Sequence, residues 1–217
     1  MRDVGITRRR MLGAAAVVAG TTVCTSAVRA APAAAAPARR AGISANGWPV
    51  LHRARSHPVE GSGEWVRLAD GAAAAILTHV ARRFHYEIDR LRSGDVQGFA
   101  DSAPGPERYE SNHLAGSAIA IRPAAYPAGV AGGLYPSQLV VVRDILAELD
   151  GAVAWGGHFR RPKESHFEIA HPPGHPTVTA AARRIQVGHG RPGGAGAVDA
   201  FDPARRAAAQ AYARRAG

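Results

Sequence analysis

Ser111-Asn112-His113-Leu114-Ala115-Gly116-Ser117-Ala118-Ile119-Ala120-Ile121 is the stretch on which the fold of this chain turns. It reads as a loop that delivers a histidine into a strand of small and apolar residues. A second stretch ends in the same way. Trp155-Gly156-Gly157-His158-Phe159-Arg160-Arg161-Pro162-Lys163-Glu164-Ser165-His166-Phe167-Glu168-Ile169 brings His166 to the mouth of an apolar strand, with Glu164 just before it. Two histidines at strand edges with a carboxylate in reach are the raw material of a catalytic metal site. Zinc takes imidazole nitrogen and carboxylate oxygen, and a catalytic site leaves one position open.

Upstream of the first stretch, Ala73, Ile76, Leu77, Val80, Phe84, Ile88 and Leu91 recur at helical spacing. Together they predict an amphipathic helix running to about Leu91, with Asp70 as its cap and with His79 and His85 on its surface. Trp65–Leu68 alternates as a short strand, and Trp48 packs at the edge of the folded part. Arg92–Glu110, rich in Gly, Pro, Asp and Ser, reads as a loop wrapping toward His113. Between the two histidine stretches, Pro136 opens a second helix to Asp150, with Leu139, Val142, Ile145, Leu146 and Leu149 buried and Gly151 as its stop. Ile119–Arg122, Ala152–Trp155 and Phe167–Ala170 read as strands. The pattern predicts an α+β domain in which helices pack on one face of a small antiparallel sheet.

The ends read differently. Met1 to about Ala30 carries Thr7-Arg8-Arg9-Arg10-Met11-Leu12, an apolar run from Gly13 to Val23, and small residues at Val28-Arg29-Ala30. This is a twin-arginine export signal, its apolar run too short for a membrane anchor, so the mature protein is expected outside the cytoplasm. Cys24, the single cysteine, lies inside that leader; the mature chain then has neither a disulfide nor a thiol nucleophile. Residues 31–45 read as an Ala/Pro linker and 46–171 as the folded domain. Residues 172–217 read as a basic tail without fixed structure, although Ala204–Arg215 can form a short helix.

Net charge follows the same division. The chain carries +10 overall. Met1–Ala30 holds five Arg against one Asp, His171–Gly217 seven Arg against two Asp, and the body between is nearly neutral. A nearly neutral body argues against nucleic acid as a partner, because a nucleic-acid surface would place its basic stripe on the fold itself. The basic tail either stands solvated or holds anionic polymers by electrostatics.

The two histidine stretches together resemble the D-alanyl-D-alanine carboxypeptidase and L-alanyl-D-glutamate endopeptidase family of zinc peptidases. That family's pattern is Ser-x-His-x-x-Gly-x-Ala-x-Asp, followed by Trp-Gly-Gly and then His-Phe-Glu. Ser111, His113, Gly116 and Ala118 match its first part; Trp155-Gly156-Gly157 and His166-Phe167-Glu168 match its second. The resemblance implies a hedgehog-like carboxypeptidase core, peptidoglycan stem peptides as the partner, and a zinc ion held by His113 and His166. It further implies Glu164 as the general base and Arg108 as the group steadying substrate oxygen. Two positions depart from the pattern. Ala120 stands where the family has its metal-binding Asp, and Lys163 stands three residues before His166, where its catalytic carboxylate usually lies. Loss of a ligand weakens metal binding; His158 or Glu164 are the two residues that can replace it. A descendant that binds wall peptide without cutting it is the alternative the substitution raises.

Overall fold

The computed structural model describes residues 42–189 and 198–216, with the side chains of residues 189 and 216 left aside. The expected export leader and most of the linker lie outside the described residues. Among the described residues no helix is long and apolar enough to cross a membrane.

Among the described residues, six short strands and five helices build an α+β fold. A two-stranded antiparallel ribbon comes first, β1 (Arg55–Pro58) with β2 (Trp65–Leu68). The main sheet holds β3 (Val96–Gln97), β4 (Ala118–Ile121), β6 (His166–Ile169) and β5 (Val153–Trp155), in that spatial order and antiparallel throughout. Helix α1 (Ala72–Glu87) packs against β4 and β6, and α3 (Pro136–Leu149) packs against β5 and α1.

Alternation along the strands decides which side chains meet the helices. Ile119, Ile121, Val153, Trp155, Phe167 and Ile169 enter the apolar core with Ile76, Leu77, Val80 and Phe84 of α1. The intervening residues of β4 and β6 take the opposite face. There the register pairs Ala118 with Glu168 and Ala120 with His166. The face turned away from the helices therefore carries one histidine, one carboxylate and two methyl groups.

Both predicted helices form, with shifted ends. No side chain caps α1, which starts at Gly71; Asp70 instead reaches the imidazole of His57 at 3.2 Å. Helix α1 stops at Glu87, and His79, expected on its surface, is buried and lies 3.4 Å from Glu148 of α3. Pro136 does open α3, and Asp150 ends it in the left-handed conformation. The loop 92–110 contains β3 and a 3₁₀ turn over Arg108–Glu110.

Within the segment expected to lack fixed structure, the described residues form two helices, the second over the stretch expected to be able to form one. Helix α4 (Pro176–His189) packs on α1, and α5 (Pro203–Ala216) packs on α3. Val178, Ala181, Ala182 and Ile185 form a buried stripe at positions i, i+3, i+4 and i+7. Two of the four are alanines, so the stripe is thin in hydrophobic content but lets α4 sit close. Helix α5 docks chiefly by charge. Arg205 donates to both carboxylate oxygens of Asp144 at 2.6–3.1 Å and reaches Glu148 at 3.3 Å. Behind it Arg83, 1 % exposed, holds Asp144 at 2.8 Å, Glu148 at 2.6 Å, and Glu87. Burial by itself would raise the Glu148 pKa; the hydrogen bond from His79 and the two arginines overcome it and pull the group down to about 2.

The fold also starts earlier than expected. Ile43 bridges Pro49, and Asn46 ties the first histidine stretch to the last strand. Its side-chain amide donates to Ser117 Oγ and to the Ile169 carbonyl, and its backbone N–H donates to Asn112 Oδ1. Trp48, buried as expected, donates through Nε1 to the His171 carbonyl.

Candidate metal centre

Ser111-Asn112-His113-Leu114 is a single helical turn, α2, that follows the 3₁₀ turn without a break. Ser111 fastens it: its hydroxyl donates to the Arg108 carbonyl and accepts the Ala45 N–H. Gly116, at φ +62, ends the turn, and a Cβ there would come within 2.5 Å of the Ala69 nitrogen. The motif's small residues thus let the turn pass against β2 before the chain enters β4.

A helical turn places residues three apart on one face. Here that pair is Glu110 and His113, with Oε2 and Nε2 3.7 Å apart. His166 comes from the facing strand, its ring centroid 5.2 Å from that of His113. Glu110, His113 and His166 each offer one ligand atom within 4.8 Å of the others. All three residues are buried, at 2 % exposure or less.

The three also present the right atoms. His113 Nδ1 lies 2.7 Å from the Gly98 carbonyl, which can only accept, so Nδ1 carries the proton and Nε2 keeps its lone pair. His166 Nε2 lies 2.8 Å from Glu168 Oε2, a carboxylate that also accepts from Asn112 Nδ2 at 2.7 Å. With Nε2–H donated to that carboxylate, Nδ1 is the free lone pair. Among the described residues, His113 Nε2, His166 Nδ1 and Glu110 Oε2 have no hydrogen-bond partner. Three buried, unpartnered acceptors facing one another are costly unless a cation or donor completes them. They fit a divalent ion, and the carbonyl and carboxylate behind the imidazoles are the supports that metal-binding histidines use.

Electrostatics agree with neutral imidazoles. Burial, together with the nearby His166, holds His113 well below the usual histidine range, and burial with the Lys163 ammonium does the same to His166. Burial raises Glu168 to about 7 despite the hydrogen bond from Asn112. Tyr109 and Phe159 cover the site. Both rings lie against His166, at centroid distances of 4.8 and 5.8 Å, and burial with the adjacent Glu110 pushes the Tyr109 phenol up to about 12.

The residues expected at the site divide. His113 and His166 come together; Glu164, Arg108 and His158 do not join them. Glu164 points its carboxylate at the backbone N–H groups of Gly132, Gly133 and Leu134, at 2.8, 2.8 and 3.2 Å. It therefore pins the loop before α3. Arg108 is exposed on the 3₁₀ turn, and His158 packs edge-on against Trp155, also exposed. Ala120 sits directly opposite His166, where a carboxylate would reach the imidazole. The third residue that could hold an ion is instead Glu110, which the sequence assigns to a loop. The signal for it was the Glu-x-x-His spacing, meaningful only if those residues are helical.

Lys163 is the other participant the sequence reading did not place. Its ammonium donates to Glu110 Oε1 at 2.7 Å, with the side chain 9 % exposed. The close packing around it explains the glycine after Trp155. A Cβ on Gly156 would lie 2.3 Å from the Lys163 carbonyl oxygen and 2.9 Å from His166 Cβ. Trp155 holds the same segment from the other side, donating through Nε1 to the Glu164 carbonyl.

Comparison with protein-family models, with curated proteins and with solved structures yields no match to this chain.

Proposed function

We propose that this chain is an exported metalloprotein of the peptidoglycan-peptidase type, built on a carboxypeptidase-like core and acting on D-alanine-containing stem peptides. One observation carries the proposal: Glu110, His113 and His166, each buried with a polar atom left unpartnered among the described residues, offer one ligand atom apiece within 4.8 Å of one another. They are the residues that would hold the ion, and the donor set is one zinc takes. The motif resemblance supplies the substrate class.

A divalent ion bound there supplies Lewis acidity toward a carbonyl oxygen. The chain's own residues do the remainder. Gly98 and Glu168 fix the two imidazoles in the tautomers that leave lone pairs inward. Glu168 stands behind His166, shared between that imidazole and Asn112, and so acts by holding the ring in place. Glu164, expected as the base, has its carboxylate engaged with three amides. Arg108 is exposed two residues before Glu110, and the resemblance alone carries its role toward a substrate carboxylate. Tyr109 and Phe159 must shift to admit a peptide.

One observation favours a second reading, in which the groove binds wall peptide and does not cut it. Lys163 neutralises Glu110, and Glu168 is shared between Asn112 and His166, so neither carboxylate is unengaged. The test is metal content of the purified mature protein by elemental analysis, beside D-alanine release from a pentapeptide and calorimetric binding of the same peptide. The proposal expects one ion per chain, lost in His113→Ala and Glu110→Gln. Binding without release supports the second reading. A protein that takes up no metal and no peptide sinks both.

A further inference from the structure

Of the 27 basic residues in this chain, Lys163 is the only lysine. Every other cation is an arginine, including those in the buried network around Asp144. The exception stands at the centre of the candidate metal site. An arginine presents a planar fork of donors; a lysine presents a compact, nearly spherical charge. Only the second resembles a metal ion in size and shape.

Glu110 shows what that charge does. Its carboxylate is 2 % exposed, and an isolated buried carboxylate is strongly disfavoured. Oε1 accepts from Lys163 Nζ at 2.7 Å, while Oε2 faces His113 without a hydrogen bond. The lysine backbone is tied on both sides: its N–H donates to the Gly156 carbonyl, and its own carbonyl accepts the His166 N–H, each at 2.9 Å. Its main chain is thereby fixed one turn from His166, and the ammonium on its four-carbon stem is the mobile part.

We infer that Lys163 is a resident cation of this site, standing in for the metal on Glu110, so that an ion binds only as the ammonium leaves. The inference rests on the metal reading of Glu110, His113 and His166. A doubly charged ion among those atoms would lie beside the ammonium and compete for the same carboxylate, and like charges at that range repel strongly when water is excluded. The metal-free form is then a complete, charge-balanced state, and the lysine sets how much free metal is needed to displace it.

The experiment uses zinc ion alone on the full chain. Affinity is measured by competition with a chromophoric chelator for the natural protein and for Lys163→Met. Reactivity of Lys163 toward an amine-acylating reagent is followed by peptide mass spectrometry on the natural protein, with and without zinc. Because there is no other lysine side chain, the label reports this residue alone. The inference expects at least about tenfold tighter zinc binding in Lys163→Met, and Lys163 acylated at least about tenfold faster when zinc is present. Zinc bound equally by both proteins, with acylation unchanged, overturns the inference and leaves the metal site standing. Zinc bound by neither overturns both. If Lys163→Met does not fold, the acylation measurement on the natural chain decides alone.

Discussion

Glu164→Gln separates a structural carboxylate from a catalytic one. In the folded chain Oε1 accepts from Gly132, and Oε2 accepts from Gly133 and Leu134. Three successive amides converging on one anion form a nest, and hydrogen bonds to a charged group are worth about 1.5–3 kcal/mol each. Glutamine keeps one carbonyl oxygen. Turned toward Gly133 and Leu134, it retains two bonds and sets an N–H donor against the Gly132 N–H. One charge-assisted bond disappears, the other two weaken, and a donor faces a donor. The sum is a loss of roughly 2–4 kcal/mol, or a fall in melting temperature of roughly 5–15 °C for a chain of this size. Thermal unfolding by circular dichroism measures it, and amide hydrogen exchange locates it. Exchange should quicken at Gly132 more than at Leu134, and Glu164→Ala should free all three amides. A Glu164→Gln protein that melts within about a degree of the natural chain, with Gly132 exchange unaltered, refutes the reasoning. Were that same variant fully stable yet unable to release D-alanine, Glu164 would be the base after all.

Further predictions concern the two buried charge clusters. Ala120→Asp adds a carboxylate opposite His166; zinc affinity by chelator competition should rise at least about tenfold, and the metal-free protein should lose roughly 1–3 kcal/mol for burying an unpaired acid. Arg83→Met leaves Glu87, Asp144 and Glu148 facing one another with one fewer cation. It should cost about 3–5 kcal/mol in denaturant unfolding, more than truncating any exposed arginine of α5. pH sensitivity follows from the imidazoles. His113 and His166 have lower pKa values folded than the 6.5 of a free histidine, so the unfolded chain binds more protons and stability falls as pH drops below about 6.5. Glu168 works the other way, gaining between its folded value of about 7 and its ordinary 4.5. One histidine is thereby offset, and the metal-free protein should lose stability on the order of 1 kcal/mol per pH unit as pH falls below roughly 6.5. Denaturant titrations at several pH values check the slope; His113→Gln should flatten it, and an unchanged slope would count against neutral buried imidazoles.

The elements that were legible in the sequence owe that to local periodicity. Ile76, Leu77, Val80 and Phe84 repeat every three or four residues because one side of α1 meets the sheet. His166, Phe167, Glu168 and Ile169 alternate because β6 has a helix face and a site face. Such patterns survive in a linear reading, and they put His166 at the start of a strand; His113, expected at a strand edge, lies on the helical turn before β4. Helix α4 is not legible because half its buried stripe is alanine; α5 is legible as a short helix, but its docking is not, because an ion pair from Arg205 helps anchor it.

What the chain alone determined is therefore the α+β class, the two principal helices and the pair of imidazoles. Tertiary structure decided the remainder of the site. Whether Glu110 faces His113 depends on a helical turn that only long-range ties to Ala45 and Gly98 hold in place. Whether Glu164 serves chemistry or a loop depends on where residues 132–134 run. A carboxylate's role is set by which donors or cations lie within about 3 Å of it, and for these residues those partners come from segments about 30 to 50 positions away. No local pattern encodes that distance; the packing of the folded chain does.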